Sequence, residues 1–247
     1  MSAVILRDMR TRFFNHGLGF LIVPLWPLAH MIVLILIHTV AGGAAPPYGE
    51  STALYYAAGL LPTMTFMYVS RFMALSLVMN RPMLGFPEIQ AVDVMLARAF
   101  LEVMAACFTL FLIMSILWAF GIDPMPDDLE NAVFCYLAVI LLGVGFGMLI
   151  GVASMFMPIV VTIYALSVIV IYISSGALFV PTFFPEPVRY ALSFNPVFQS
   201  VEWMRHAFYP NYADDLINRG YVLAWGLGAL FAGLALERFF RRPMLET

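Results

Sequence analysis

FVPTFFPEPVRYALSFNPVFQSVEWMRHAFYPNY, residues 179–212, is rich in apolar side chains yet cannot cross a bilayer as one helix. Pro181, Pro185, Pro187, Pro196 and Pro210 divide it, and an interior proline both removes an amide donor and clashes with the preceding turn. Only two short helices fit between them. The first is expected over about Glu186 to Phe194, with Pro187 near its start, where a missing N–H is harmless. The second is expected over Pro196 to Phe208, with Asn195 as its N-cap. Val197, Val201, Met204 and Phe208 fall on one side of this second helix. Glu202, Arg205 and His206 fall on the other, where Glu202 is spaced to pair with either base. At 1.5 Å per residue the helix is roughly 20 Å long, against about 30 Å of hydrocarbon. The stretch therefore reads as a re-entrant helical hairpin that dips into a membrane or lies on it. Irregular backbone at such depth is tolerated only against protein or a water-filled cavity.

Composition agrees that the surroundings are lipid. The 247 residues are 63% hydrophobic and 11% charged, with a mean hydropathy of +0.93, which marks a polytopic all-α membrane protein. All 12 basic side chains are arginine. Without lysine there is no Walker A phosphate loop and no Schiff-base chemistry. Cys107 and Cys135 lie in apolar runs with no metal or redox spacing, and are expected to be buried packing residues. No nucleic-acid partner is indicated, and Arg7, Arg10 and Arg12 precede an uncleaved first span.

Six spans are expected. The first runs over about 20–41, with Pro24 and Pro27 delaying or kinking its start. His30 and His38 lie near one face of it, as functional groups or as neutral, internally bonded histidines. The second span, about 54–79, carries Arg71 roughly 12 Å from its end. Tyr68, Met67, Met64, Leu60 and Tyr56 lie within about 60° of Arg71 on a helical wheel. That face reads either as the wall of a pathway for a polar or anionic substrate, or as an arginine snorkelling to headgroups. The loop 80–98 precedes the third span, about 97–120, which has Glu102 in its first turns; a short helix is sketched near Glu88–Val92. The fourth span, about 132–156, carries Gly143, Gly147, Gly151 and Ser154 as a seam for close helix approach. The fifth, about 159–179, carries Tyr164, Tyr172, Ser174 and Ser175. The sixth, about 221–240, has a second small seam at Ala229 and Gly233. Residues 2–15 read as an interfacial amphipathic helix or a simple basic flank. With both termini inside, nine arginines fall on the inner side and three, Arg189, Arg205 and Arg219, on the outer. That satisfies the positive-inside rule.

No metal, acyl-transfer or phosphate-loop motif appears, and intramembrane carboxylates are nearly missing. Ion-coupled carriers generally need such groups at mid-depth. An integral membrane enzyme is disfavoured, and the energy for any transport must come from another subunit.

Two local patterns then carry a resemblance over the full length. One is Asn80-Arg81-Pro82-Met83-Leu84, leading through Val92-Asp93-Val94-Met95-Leu96-Ala97-Arg98 into the third span. The other is Leu192-Ser193-Phe194-Asn195-Pro196, followed by Glu202-Trp203-Met204-Arg205-His206-Ala207-Phe208-Tyr209-Pro210. With an amphipathic start, six spans and a proline-broken outer hairpin, the chain resembles the permease subunit of type 2 ABC exporters. Among these it looks most like permeases for capsular polysaccharide or lipopolysaccharide O-antigen. The resemblance implies a single permease domain, residues 1–247, in the bacterial inner membrane with both termini cytoplasmic. It implies a second copy of the chain, two nucleotide-binding ATPase subunits that hold ATP and magnesium, and further periplasmic or outer-membrane export components. No cofactor is expected on this chain. Residues 80–93 become the ATPase-coupling loop, carried by Asn80, Arg81, Pro82, Met83, Leu84, Gly85, Phe86, Pro87 and Glu88, with Arg7 and Arg10 of residues 2–15 beside it. Residues 181–212 become the periplasmic gate, with Pro187, Asn195, Pro196, Glu202, Arg205 and Phe208. The path candidates, read from the spans rather than from the family, are Arg71, Tyr68, Tyr56, Met64, Met67, His30, His38, Tyr164 and Tyr172. Aromatic faces stack on sugar rings and arginine neutralises acidic sugars. A permease for a lipid, lipo-oligosaccharide or drug remains the alternative, as does a structural membrane subunit of an envelope complex without transport.

Overall fold

The computed structural model describes residues 22–42, 46, 48–86, 89–213 and 215–246. Arg7, Arg10, Pro87 and Glu88 lie outside them, as does the expected interfacial helix. The described residues form α-helices and short 3-10 turns and no strand. The α-helices are α1 (Leu25–Gly42), α2 (Thr52–Met79), α3 (Ala91–Ala119), α4 (Leu129–Phe156), α5 (Ile159–Ile173), α6 (Glu186–Leu192), α7 (Pro196–Phe208) and α8 (Arg219–Glu246). Four of them, α2, α3, α4 and α8, are long and apolar enough to cross a membrane, while α1 and α5 are apolar but shorter.

The helix ends follow from local chemistry. Ser51 caps α2 by accepting from the Leu54 amide at 3.3 Å. At the other end the Asn80 side chain donates to the Ser76 carbonyl at 2.9 Å. Pro62 lies inside α2, and the Thr63 hydroxyl donates to the Gly59 carbonyl at 3.0 Å beside it. Of the helix sketched at Glu88–Val92, Glu88 lies outside the described residues, 89 and 90 are not helical, and 91 and 92 belong to α3 itself. Helix α3 begins about six residues before the expected span. The cause is a capping box between Gln90 and Asp93. Glu102 therefore sits three turns in, where its carboxylate meets Arg98 Nε at 2.8 Å, and both side chains are buried.

Helix α5 stops at Ile173, six residues short of the expected span. Ser174 and Ser175 turn their hydroxyls back onto the carbonyls of Val170 (2.8 Å) and Tyr172 (2.7 Å). Gly176 then takes a positive φ of 78°, a conformation that favours glycine. Helix α6 ends at Leu192 rather than Phe194. Helix α7 has the expected bounds, and the Asn195 side chain accepts from the Val197 amide at 2.9 Å.

Helix α4 is the middle layer between α2 and α8. The seam Gly143, Gly147 and Gly151 meets α2: a Cβ on Gly147 would lie 2.5 Å from the Met73 Cβ, and one on Gly143 3.1 Å from the Val69 Cβ. The opposite edge of α4 meets the second seam, where a Cβ on Gly233 would lie 2.7 Å from Met148 Cγ. Cys135 is buried under α7 and donates to the Ser200 carbonyl at 3.2 Å. Cys107 is instead exposed on α3. An apolar run in a membrane protein serves lipid as well as core, so periodicity alone did not separate the two.

Candidate functional site

Helices α1, α2 and α5 leave a groove of about 560 Å³ between them, lined by Trp26, His30, Met67, Tyr68, Arg71, Phe72, Leu75, Ile169 and Tyr172. Five of the expected path residues meet here: Arg71, Tyr68, Met67, His30 and Tyr172. His30 and Tyr172 face each other with ring centroids 6.0 Å apart. Arg71 is exposed and makes no ion pair among the described residues. Behind this wall the ring of Phe72 lies 5.2 Å from the Arg98 guanidinium carbon, so the Arg98–Glu102 pair supports the groove from α3.

The other four expected path residues lie elsewhere. Met64 is buried in the cluster of α1, α2 and α3 that also holds Leu28, Met31 and Ile113. Tyr164 is buried against Ala74 and Val168. Tyr56 stacks near His38, with centroids 4.0 Å apart, and His38 bonds the carbonyls of Leu34 and Leu178 at 2.8 and 3.1 Å. The wheel groups Met64 and Tyr56 with Arg71. Over four turns, however, that face passes from the groove to the α1 contact.

The loop after α2 presents a small anchored platform. Asn80 and Leu84 are buried, Leu84 packing with Met73, Leu77 and Met95. Arg81, Pro82, Gly85 and Phe86 are exposed and Met83 half-buried. Phe86 and Met79 expose more than half their surface, 62% and 61%, at the bundle end opposite the hairpin.

The hairpin differs most from the sequence reading. The side of α7 that carries Glu202 and Arg205 does not face away from the bundle. Apart from half-buried His206, every residue from Val197 to Phe208 is buried. Arg205 is 0% exposed. Its Nη1 lies 3.7 Å from Glu202 Oε1, and its guanidinium carbon 4.2 Å from the centre of the Tyr55 ring. Its Nη groups donate to the carbonyls of Phe179 and Ala177, both at 3.4 Å. Tyr212 donates to Glu202 at 2.7 Å. Burial pushes the Glu202 carboxyl up, against the pull of Arg205 and the Tyr212 hydrogen bond. His206 does not pair with Glu202; its ring nitrogen meets the Tyr212 carbonyl at 3.1 Å. Phe208 is buried with Tyr209, Tyr212 and Val222. Pro187 sits in the first turn of α6, and Pro196 starts α7.

Tyr48, Tyr55, Tyr209 and Tyr212 form an aromatic group that includes the ring under this cation, with Tyr48 and Tyr212 centroids 4.7 Å apart. The sequence reading missed all four. The available signal was a charged Glu-x-x-Arg pair in a short helix bracketed by tyrosines. Among the described residues no group of histidine, cysteine or carboxylate side chains is placed to hold a metal ion.

Long apolar helices packed through glycine seams, with charged side chains confined to buried pairs, a groove and the ends, define a polytopic helical membrane protein. Over its whole length the chain is similar to inner-membrane polysaccharide export proteins. It is 27% identical over 247 residues to "Polysialic acid transport protein KpsM" of Escherichia coli, covering 100% of this chain and 95% of that one. It is 25% identical over 244 residues to "Capsule polysaccharide export inner-membrane protein CtrC" of Neisseria meningitidis serogroup B, covering 98% and 91%. No family model matches the chain.

Proposed function

We propose that this chain is the transmembrane permease subunit of an ATP-driven ABC exporter that moves a polysaccharide, free or lipid-linked, across the bacterial inner membrane. The observation that carries the reading is the end-to-end likeness to polysaccharide export proteins, 247 aligned residues with 95% of the relative covered. In this reading α1 and α5 join the four longer helices as spans, and both termini are cytoplasmic. Two copies form the path and two separate ATPase subunits hold ATP and magnesium.

The platform at Asn80–Phe86 suits the coupling role. Its buried Asn80 and Leu84 transmit a push to α2 and α3, while Arg81 and Phe86 face outward to meet a partner. The groove at Arg71 suits a sugar polymer: Tyr68, Tyr172 and Trp26 supply ring faces, and Arg71 supplies a charge for an acidic sugar or a phosphate. The hairpin covers the opposite end and serves as the gate.

The test is affinity purification from the native membrane with identification of co-purifying subunits, repeated with residues 84–90 replaced by a Gly/Ser linker. A Walker A ATPase retained by the natural chain and lost with the linker supports the exporter. Absence of any ATPase from the natural chain in mild detergent would move the structural-subunit reading to the front.

A further inference from the structure

We infer that Arg205 is the positioning residue of the hairpin: it holds α7 stationary on the bundle, so that α6 is the leaf that moves when the gate opens. This rests on the exporter reading, which supplies the gate but does not say which half of it moves.

The two halves are held very differently. Helix α7 is tied on three sides. Arg205 bonds the chain just after α5 through the Ala177 and Phe179 carbonyls, and lies over Tyr55 of α2. Trp203 Nε1 donates to Asn131 of α4 at 3.2 Å. The Asp128 amide donates to the Ala207 carbonyl at 2.9 Å. Lifting α7 would strip all of these together and take the guanidinium off both carbonyls and the Tyr55 ring, with only Glu202 of the same helix left to pair with it. The space for it is specific, because a Cβ on Gly59 would lie 2.8 Å from Arg205 Nη2.

Helix α6 has no buried residue. Tyr190 and Phe194 are each 61% exposed. Among the described residues its one side-chain ion pair is Arg189 to Asp215 at 2.8 Å, with the two side chains 21% and 58% exposed. An ion pair with one partner open to water contributes little. The Tyr221 hydroxyl adds a bond to the Phe194 carbonyl at 2.7 Å. Pro185 precedes the helix, Pro187 sits in its first turn, and the Asn195-Pro196 cap follows it. A segment with so little burial opens locally at low cost, between hinges that the prolines and the cap define.

The test uses two cysteine pairs in the chain with its ATPase partner. Cys107 is replaced by serine and the fully buried Cys135 is kept. Asn131→Cys with Trp203→Cys ties α7 to α4. Arg189→Cys with Asp215→Cys ties α6 to the loop before α8. Each pair is bridged by a bifunctional methanethiosulfonate, and cell-surface polysaccharide is compared before bridging, after bridging and after reduction. Bridging 131–203 is expected to leave export unchanged, and bridging 189–215 to abolish it until reduction. Arrest by the first bridge, or export through the second, overturns the inference.

Labelling of a buried Val201→Cys by a membrane-impermeant maleimide decides the matter independently of the bridges. It is expected to stay slow during ATP turnover, to speed up in Arg205→Gln and Tyr55→Leu, and to stay slow in Tyr55→Phe, which keeps the ring under the cation. Faster labelling with ATP in the otherwise natural chain, or no change in Arg205→Gln, overturns it. If the natural chain neither captures an ATPase nor displays polymer, the exporter reading itself has failed. If it does both and the unbridged cysteine variants match it, only the assignment of the moving leaf is at stake.

Discussion

The Arg205 guanidinium carbon sits 4.2 Å from the centre of the Tyr55 ring, and Gly59, one turn along the same helix, leaves it the room. A Cβ on Gly59 would meet Nη2 at 2.8 Å and the Ala177 Cα at 3.3 Å. Gly59→Ala is therefore expected to destabilise the protein by about 1–3 kcal/mol through overpacking. In an Arg205→Met background the cost should shrink, since the nearest obstacle is gone. Denaturant unfolding in detergent of the four members of the cycle measures this coupling. Equal costs in both backgrounds would show that the arginine does not set the spacing.

The second helix of the hairpin was fully legible, bounds included, because Asn195-Pro196 is a local signal: a capping side chain followed by the residue best suited to the first helical position. The orientation of its charged side was not. A wheel separates Glu202 and Arg205 from the apolar positions, but it does not show that a tyrosine some 150 residues away covers them. The groove was half legible for the same reason. Arg71, Tyr68 and Met67 share a turn and a destination, while Met64 and Tyr56 share the wheel sector but not the neighbour. The end of α5 was missed because Ser174, Ser175 and Gly176 are small residues in an apolar run, which a hydropathy scan crosses without notice.

Asn195 does more than cap α7. Its carboxamide also donates to the Ile171 carbonyl and the Ser174 hydroxyl, each at 2.9 Å, joining the hairpin to the end of α5. Asn195→Ala is expected to cost about 1–2 kcal/mol, the upper part of the range for a lost N-cap. Asn195→Asp, which keeps the acceptor for the Val197 amide but loses both donors, should fall between the two. Thermal unfolding of the detergent-solubilised protein orders the three. A harmless Asn195→Ala would mean that Pro196 alone sets the helix start.

The glycine seams make a paired prediction. Gly147→Ala drives a Cβ to 2.5 Å from the Met73 Cβ, whereas a Cβ on Gly228 of α8 meets nothing within 4 Å. Gly147→Ala should lower stability by about 1–3 kcal/mol, and Gly228→Ala should leave it unchanged or raise it by up to about 1 kcal/mol through helix propensity. Unfolding midpoints of the two single variants check the contrast. Equal loss in both would point to a contact at Gly228, such as a second copy of the chain, rather than to the seam.

At the opposite end, Phe86 is 62% exposed while Leu84 of the same loop is buried against Met73, Leu77 and Met95. Phe86→Ala should leave the unfolding midpoint within about 0.5 kcal/mol of the natural chain, as expected for an exposed site, yet reduce the amount of ATPase that co-purifies. Leu84→Ala should lower stability by about 2–5 kcal/mol as a buried leucine lost, and impair capture only in proportion to unfolding. If Phe86→Ala captures the ATPase normally, the outer face of this loop is not the docking face.

Arg71 separates a pathway from a snorkelling anchor. It is exposed in a groove with Tyr68, Tyr172 and His30, so its removal leaves no buried charge behind and should not alter stability beyond about 0.5 kcal/mol. If the groove carries an acidic sugar or a phosphate, Arg71→Ala should depress polysaccharide export while ATPase capture stays intact. Arg71→Lys should retain part of the function, because lysine keeps the charge but not the two-pronged donor geometry. If Arg71 only reaches for headgroups, lysine should serve fully and alanine should lower the amount of inserted protein rather than the export per molecule. Surface polysaccharide normalised to membrane-inserted permease distinguishes these outcomes. Normal export by Arg71→Ala would remove the groove from the path and leave the cation to the lipid.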